Sequence, residues 1–175
     1  MKQFFMIGTS ILLMLILTGC GEKAVLPPDA EQVSQAVRQP FDAQATLHMG
    51  GMEAVTNLNR DGDGAFSFAF TEPAALNGMT VTMDAEKIGF SYLGMHIEGD
   101  SADVLDSAAV KAIAGALSKV AEPNGIQVGI EDGAVLVNGE SESGEFQLKL
   151  DPQSRSMLSL SIPELDLVCH FSAGE

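Results

Sequence analysis

Between residues 41 and 171 apolar side chains recur mostly at every second position, the period of a strand with one face buried. Phe41, Ala43, Ala45, Leu47 and Met49 alternate with more polar neighbours up to Gly50-Gly51. Met52, Ala54, Thr56 and Leu58 continue the pattern to a turn at Arg60-Asp61-Gly62-Asp63-Gly64. Phe66, Phe68 and Phe70 then share one face of a third strand, which Pro73 stops. Three more alternating runs carry Met79, Val81 and Met83, then Ile88, Phe90 and Tyr92, then Met95 and Ile97, and complete a predicted six-strand meander.

From 101 to 121 the period changes. Leu105, Ala109, Ala112, Ile113, Ala116, Leu117 and Val120 recur at spacings of three and four, which predicts an amphipathic helix capped at Ser101 or Asp103 and ended by Pro123-Asn124-Gly125. Alternation returns in five runs, 126–130, 134–137, 146–150, 158–162 and 165–171. Ahead of the first strand, 29–39 has room for one or two helical turns with Val33, Ala36 and Val37 on one side, ended by Pro40.

The predicted fold class is mainly β with helix (α+β): a curved antiparallel sheet of about eleven strands forming a half-barrel. One long helix inserted after the sixth strand covers its concave apolar face, because such a face has to be buried against something. A sandwich with the helix at one end is the alternative. The cavity candidates under that lid are Phe66, Phe68, Phe70, Phe90, Leu105, Ile113 and Leu117.

The start of the chain is of a different kind. Lys2 precedes an apolar run over 4–17 that ends in Leu17-Thr18-Gly19-Cys20, the order of a secretory signal closed by a bacterial lipobox. Spanning the hydrocarbon core takes about 20 apolar residues, and Gly19-Cys20-Gly21-Glu22 stops the run too early. The expected organisation is a signal peptide over 1–19, a lipidated terminus and tether over 20–40, and a single β domain over 41–175. Cleavage before Cys20 puts a diacylglyceryl group on its sulfur. Two acyl chains, at about 0.8 kcal/mol per buried methylene, make a stable anchor at the extracytoplasmic face of the cell membrane.

Cleavage leaves 156 of the 175 residues, one domain's worth, with eight Lys and Arg against all 24 acids and a formal charge of −16. That charge excludes nucleic acid as a partner, which requires a basic footprint, and argues against a protein face lying on an anionic membrane. Cys169 is the one other cysteine; it alternates in phase with Leu165, Leu167 and Phe171, which marks it as a buried apolar residue rather than a nucleophile.

Other constellations reduce to ordinary structure. Asn59 to Gly64 has the oxygens of half a calcium loop, but the twelfth place is Phe70. The stretch Gly89-Phe90-Ser91-Tyr92-Leu93-Gly94 has one residue too many for a nucleophile elbow. His48, His96 and His170 are too far apart in sequence for a helical metal pair. The methionines near them, Met49, Met52, Met79, Met83 and Met95, are in phase with core positions rather than set out as a copper site. Glu140, Glu142 and Glu145 sit in a Gly- and Ser-rich turn, where nothing raises a carboxyl pKa for acid catalysis. No catalytic residue, metal or cofactor is expected.

The lipobox, the stretch Gly64 to Pro73 with Leu76-Asn77-Gly78-Met79, and Phe90-Ser91-Tyr92-Leu93-Gly94-Met95 together resemble the LolA/LppX-type lipoproteins and lipoprotein carriers. That resemblance implies an eleven-stranded half-barrel and a non-enzymatic role, holding acyl chains of lipids or lipoproteins. It also implies an alternative, docking and regulating an envelope enzyme or another lipoprotein, as a related germination lipoprotein does with a cell-wall amidase. Cys20 sets the chain apart from the soluble carriers, since a tethered protein cannot shuttle. Replacing Cys20 with Ser is expected to move the protein out of the membrane fraction; fractionation that still finds it with the membrane overturns the lipid anchor.

Overall fold

A computed structural model of the chain describes residues 28–103 and 108–173. Cys20 and Leu105 therefore lie outside the described residues. Helix α1 (Ala30–Arg38) leads into β1 (Phe41–Met49), β2 (Met52–Arg60), β3 (Phe66–Glu72), β4 (Thr80–Met83), β5 (Lys87–Tyr92) and β6 (Met95–Asp100). A 3-10 turn and helix α2 (Ala109–Val120) follow, then β7 (Gln127–Glu131), β8 (Ala134–Ser141), β9 (Gly144–Leu150), β10 (Met157–Ile162) and β11 (Leu167–Ala173). All eleven strands form one antiparallel sheet in the order β6-β5-β4-β3-β2-β1-β11-β10-β9-β8-β7, curved and not closed into a barrel.

Every pair of neighbours in that order is consecutive in sequence except β1 and β11. Six strands step outward to the β6 edge, and five return from the β7 edge to close on β1 through pairs such as Leu47 with Cys169. Because β6 and β7 are opposite edges, the segment joining them has to cross the sheet. Its apolar stripe decides on which face: Ala112, Ile113, Ala114, Ala116, Leu117 and Val120 are buried, while Ser118 is exposed. The alanines let the helix lie close to the strands beneath, and Ile113 and Leu117 pack into the same core as Phe66, Phe68 and Phe70. At about 1.5–3 kcal/mol for each fully buried large apolar side chain, this shared core is the main source of stability.

A second helix shares the covering. Asp29 caps α1 by accepting the Gln32 backbone N–H at 2.8 Å, and Gln39, extended ahead of Pro40, ends it. Val33 and Val37, one turn apart, are buried in the common core. Arg60, at the inner end of β2, donates from one guanidinium nitrogen to the Val37 and Arg38 carbonyls, the last of α1. It also lies over the Phe66 ring, 5.5 Å from its centroid. Arg38 in turn donates to the Ala121 carbonyl at the end of α2, at 2.6 Å. Two arginines thus tie both helix ends to each other and to the sheet. Burial, with the nearby Arg38 charge, holds the Arg60 guanidinium below its ordinary pKa, and Asp61 opposes this.

Three local expectations change. The helix begins at Ala109, with Ala108 as a cap that makes no side-chain hydrogen bond, rather than at a Ser101 or Asp103 cap; Ser101–Asp103 form a separate 3-10 turn. Leu158 is exposed instead of in phase with Leu160, because the β9–β10 register shifts between Met157 and Ser159 and bulges it outward. The last strand starts at Leu167, since Pro163–Leu165 make a 3-10 turn and Asp166 turns the chain with φ 48°. Arg60→Ala is expected to lower stability by about 2–4 kcal/mol in denaturant unfolding, because it strips the donor from buried helix-end carbonyls and leaves a void. A loss below about 0.5 kcal/mol, the scale of an ordinary surface change, would show that the clamp is dispensable.

Candidate functional site

Cross-strand partners in an antiparallel sheet point to the same face, so the pairing defines rows across the inner surface. One row runs from Leu58 on β2 through Phe68, Val81 and Phe90 to Ile97 on β6. Its exposure climbs along the way: 1% at Leu58, 0% at Phe68, 1% at Val81, 37% at Phe90 and 66% at Ile97. The parallel row through Tyr92 ends on Met95, which is 63% exposed. Leu93, at φ 50° in the two-residue turn joining β5 to β6, is 80% exposed. The covered core thus gives way to bare apolar surface at the hairpin end of the last two strands, while Ile88 at the other end of β5 stays in the core. Tyr92 steadies this end by donating from its hydroxyl to the Ala75 carbonyl at 3.3 Å.

The expected cavity residues separate into two groups. Phe66, Phe68, Phe70, Ile113 and Leu117 come together, but as mutually packed core. Phe90 stands at the boundary with the open platform. Met95 and Ile97 were in phase with it but outside the candidate set; the available signal was their place on the strand just before the helix, which makes β6 a sheet edge.

A cleft of about 1000 Å³ opens elsewhere, between α2, the turns after β2 and β4, and the β8–β9 hairpin. Six carboxylates, Glu140 and Glu142 among them, line it with Arg60, Lys111 and Lys119, while Phe66 and Met83 reach its floor. Walls so charged do not suit an acyl chain.

On the outer face Ser91 Oγ lies 2.8 Å from His96 Nδ1, and His96 Nε2 lies 3.3 Å from Glu98 Oε1. The three residue types match a nucleophile, base and orienter. Their setting does not, because acyl transfer needs oxyanion donors in a site that excludes water, and the His96 and Glu98 side chains are more than half exposed on a flat strand pair. His48 and His170 form an edge-to-face pair at 6.1 Å on the same outer surface. Among the described residues no cluster of three or more His, Cys, Asp or Glu could hold a metal ion, and no helix is long and apolar enough to cross a membrane.

The fold is an open half-barrel with a helix-covered inner face. No protein-family model matches the chain, and no curated protein does. Solved structures similar to it include a LolA superfamily protein from Nitrosomonas europaea, 9% identical over 83% of this chain and 92% of that one, with a TM-score of 0.42. The lipoprotein LppX from Mycobacterium tuberculosis is similar at 11% identity over 82% and 91%, with a TM-score of 0.43. An uncharacterized conserved protein from Thermus thermophilus is similar at 13% identity over 83% and 88%, with a TM-score of 0.49.

Cys169 faces the core, fully buried, and desolvation pushes its thiol up to about 12. In the unfolded chain the thiol ionises near 9.0, so its contribution to stability is complete below that pH and is lost as pH rises from about 9 to about 12. The native thiol is expected to resist an aromatic disulfide reagent at pH 8 and to react at once in denaturant. Fast native labelling would place Cys169 at an accessible site.

Proposed function

We propose that this protein is a membrane-anchored extracytoplasmic lipoprotein that binds an acyl chain, or a ligand equally apolar, on the open end of its inner sheet face. The observation that carries the proposal is the row from Leu58 to Ile97, buried for three strands and bare for the last two. An exposed cluster of Phe90, Leu93, Met95 and Ile97 is the kind of patch that marks a binding surface. The chemistry is simple desolvation. Laying about six methylenes on this platform gains about 5 kcal/mol before ordering costs, with no polar group to pair. Methionine beside phenylalanine suits chains of varied length and unsaturation, because the thioether repacks easily.

The anchor sets the working range. Seven residues lie between Cys20 and Pro28, and the eight steps from one to the other reach about 28 Å when fully extended. The domain on that leash is a stationary receptor for ligands at its own membrane and not a diffusing carrier.

Ile97 and Phe90 supply the test, since Ile97 is mostly exposed and replacing it leaves the core intact. Ile97→Glu and Phe90→Ser are expected to weaken binding of a fluorescent fatty acid at least tenfold. Native mass spectrometry of the unmodified protein should find copurifying lipid. Full affinity in both variants, or a protein free of lipid that binds no acyl probe, overturns the proposal.

A further inference from the structure

We infer that the β6 edge pairs with the β6 edge of a second copy of this chain, joining two apolar platforms into one surface; this rests on the platform being the binding surface. All six residues of β6 are exposed, and among the described residues no strand lies beyond it in the sheet. Such an edge is a template for another strand. Along β6 apolar and polar residues separate cleanly, with Met95, Ile97 and Gly99 on the inner face and His96, Glu98 and Asp100 on the outer one.

Two copies related by a two-fold axis perpendicular to the sheet pair antiparallel and keep inner face beside inner face. The axis then passes through a pair of identical residues, which leaves few registers. Centred on His96, the pairing sets His96 against itself. Centred on Glu98, it sets two carboxylates against each other, which is unfavourable. Centred on Ile97, it sets Ile97 on Ile97, Met95 on Gly99, and His96 on Glu98 twice. Each His96 then meets a carboxylate across the new seam like the one it already reaches on its own strand. Imidazole-to-carboxylate pairing, in place of carboxylate against carboxylate, therefore selects this register. In it Phe90, Met95 and Ile97 of both copies form one apolar floor, so the partner contributes residues to the site. A lipid anchor confining copies to one plane raises their effective concentration, so an edge-sized interface is enough.

The register makes the test specific. Paired residues in antiparallel strands have Cα atoms about 4.5–5.5 Å apart, within the range a disulfide spans. In the membrane-bound full chain, where Cys169 is buried and Cys20 is acylated, Ile97→Cys is expected to form a disulfide dimer on mild oxidation. Met95→Cys and Gly99→Cys alone should not, whereas the Met95→Cys/Gly99→Cys double variant should. Glu98→Lys should cut the dimer yield of Ile97→Cys several-fold, and adding His96→Glu should restore it. An Ile97→Cys protein that stays monomeric overturns the pairing, as do equal crosslinking at all three positions and a ladder of higher oligomers. Acyl-probe binding measured in parallel on the unsubstituted membrane-bound protein separates the two ideas: probe binding without crosslinking of Ile97→Cys defeats only the pairing, and crosslinking without probe binding by the unsubstituted protein defeats only the ligand.

Discussion

The structure depends on a connection that has to cross the sheet. With β6 and β7 at opposite edges, the chain between them runs over one face of eleven strands, and only the inner face offers apolar surface to receive it. That crossing turns a sheet with one oily side into a folded domain. Arg60 and Arg38 then bind the ends of both helices to the sheet through carbonyls that would otherwise lack partners. Removing water from that junction makes Arg60 expensive to bury and more expensive to lose.

The covering helices are short for the surface beneath them. α2 spans twelve residues, about 18 Å of helix, while eleven strands at about 4.8 Å spacing make a sheet about 48 Å across. Coverage reaches Ile88 on β5 but not the hairpin end of β5 and β6, where the same inner-face pattern that builds the core at Phe68 and Val81 leaves Phe90 and Ile97 bare. Core and candidate site are thus one surface, divided by where the lid stops. The charged cleft and the Ser91, His96 and Glu98 network lie outside that surface and supply polar contacts in water-exposed settings, where neither desolvation nor pre-aimed dipoles are available for catalysis.

Much of the architecture was legible because alternation is a local property. The strands from Phe41 to Phe171, the shared face of Phe66, Phe68 and Phe70, and the stripe of Ile113, Leu117 and Val120 follow from side-chain spacing that any window of the chain displays. Boundaries were less legible where tertiary contacts override spacing. Leu158 kept its phase in sequence but was displaced by the bulge opposite Leu150, and Leu165 left the last strand for a turn set by Pro163 and Asp166. The candidate site was half legible: Phe90 was among the chosen residues, whereas Met95 and Ile97 were recognisable only as two more alternating positions.

What the sequence determined by itself is periodicity: eleven alternating runs and one helical stripe, all encoded in neighbouring residues. What only the tertiary structure decided is coverage. Whether an inner-face residue becomes core like Phe68 or open platform like Ile97 depends on how far a helix reaches across strands distant in sequence, and burial is a property of that assembled surface rather than of any local pattern.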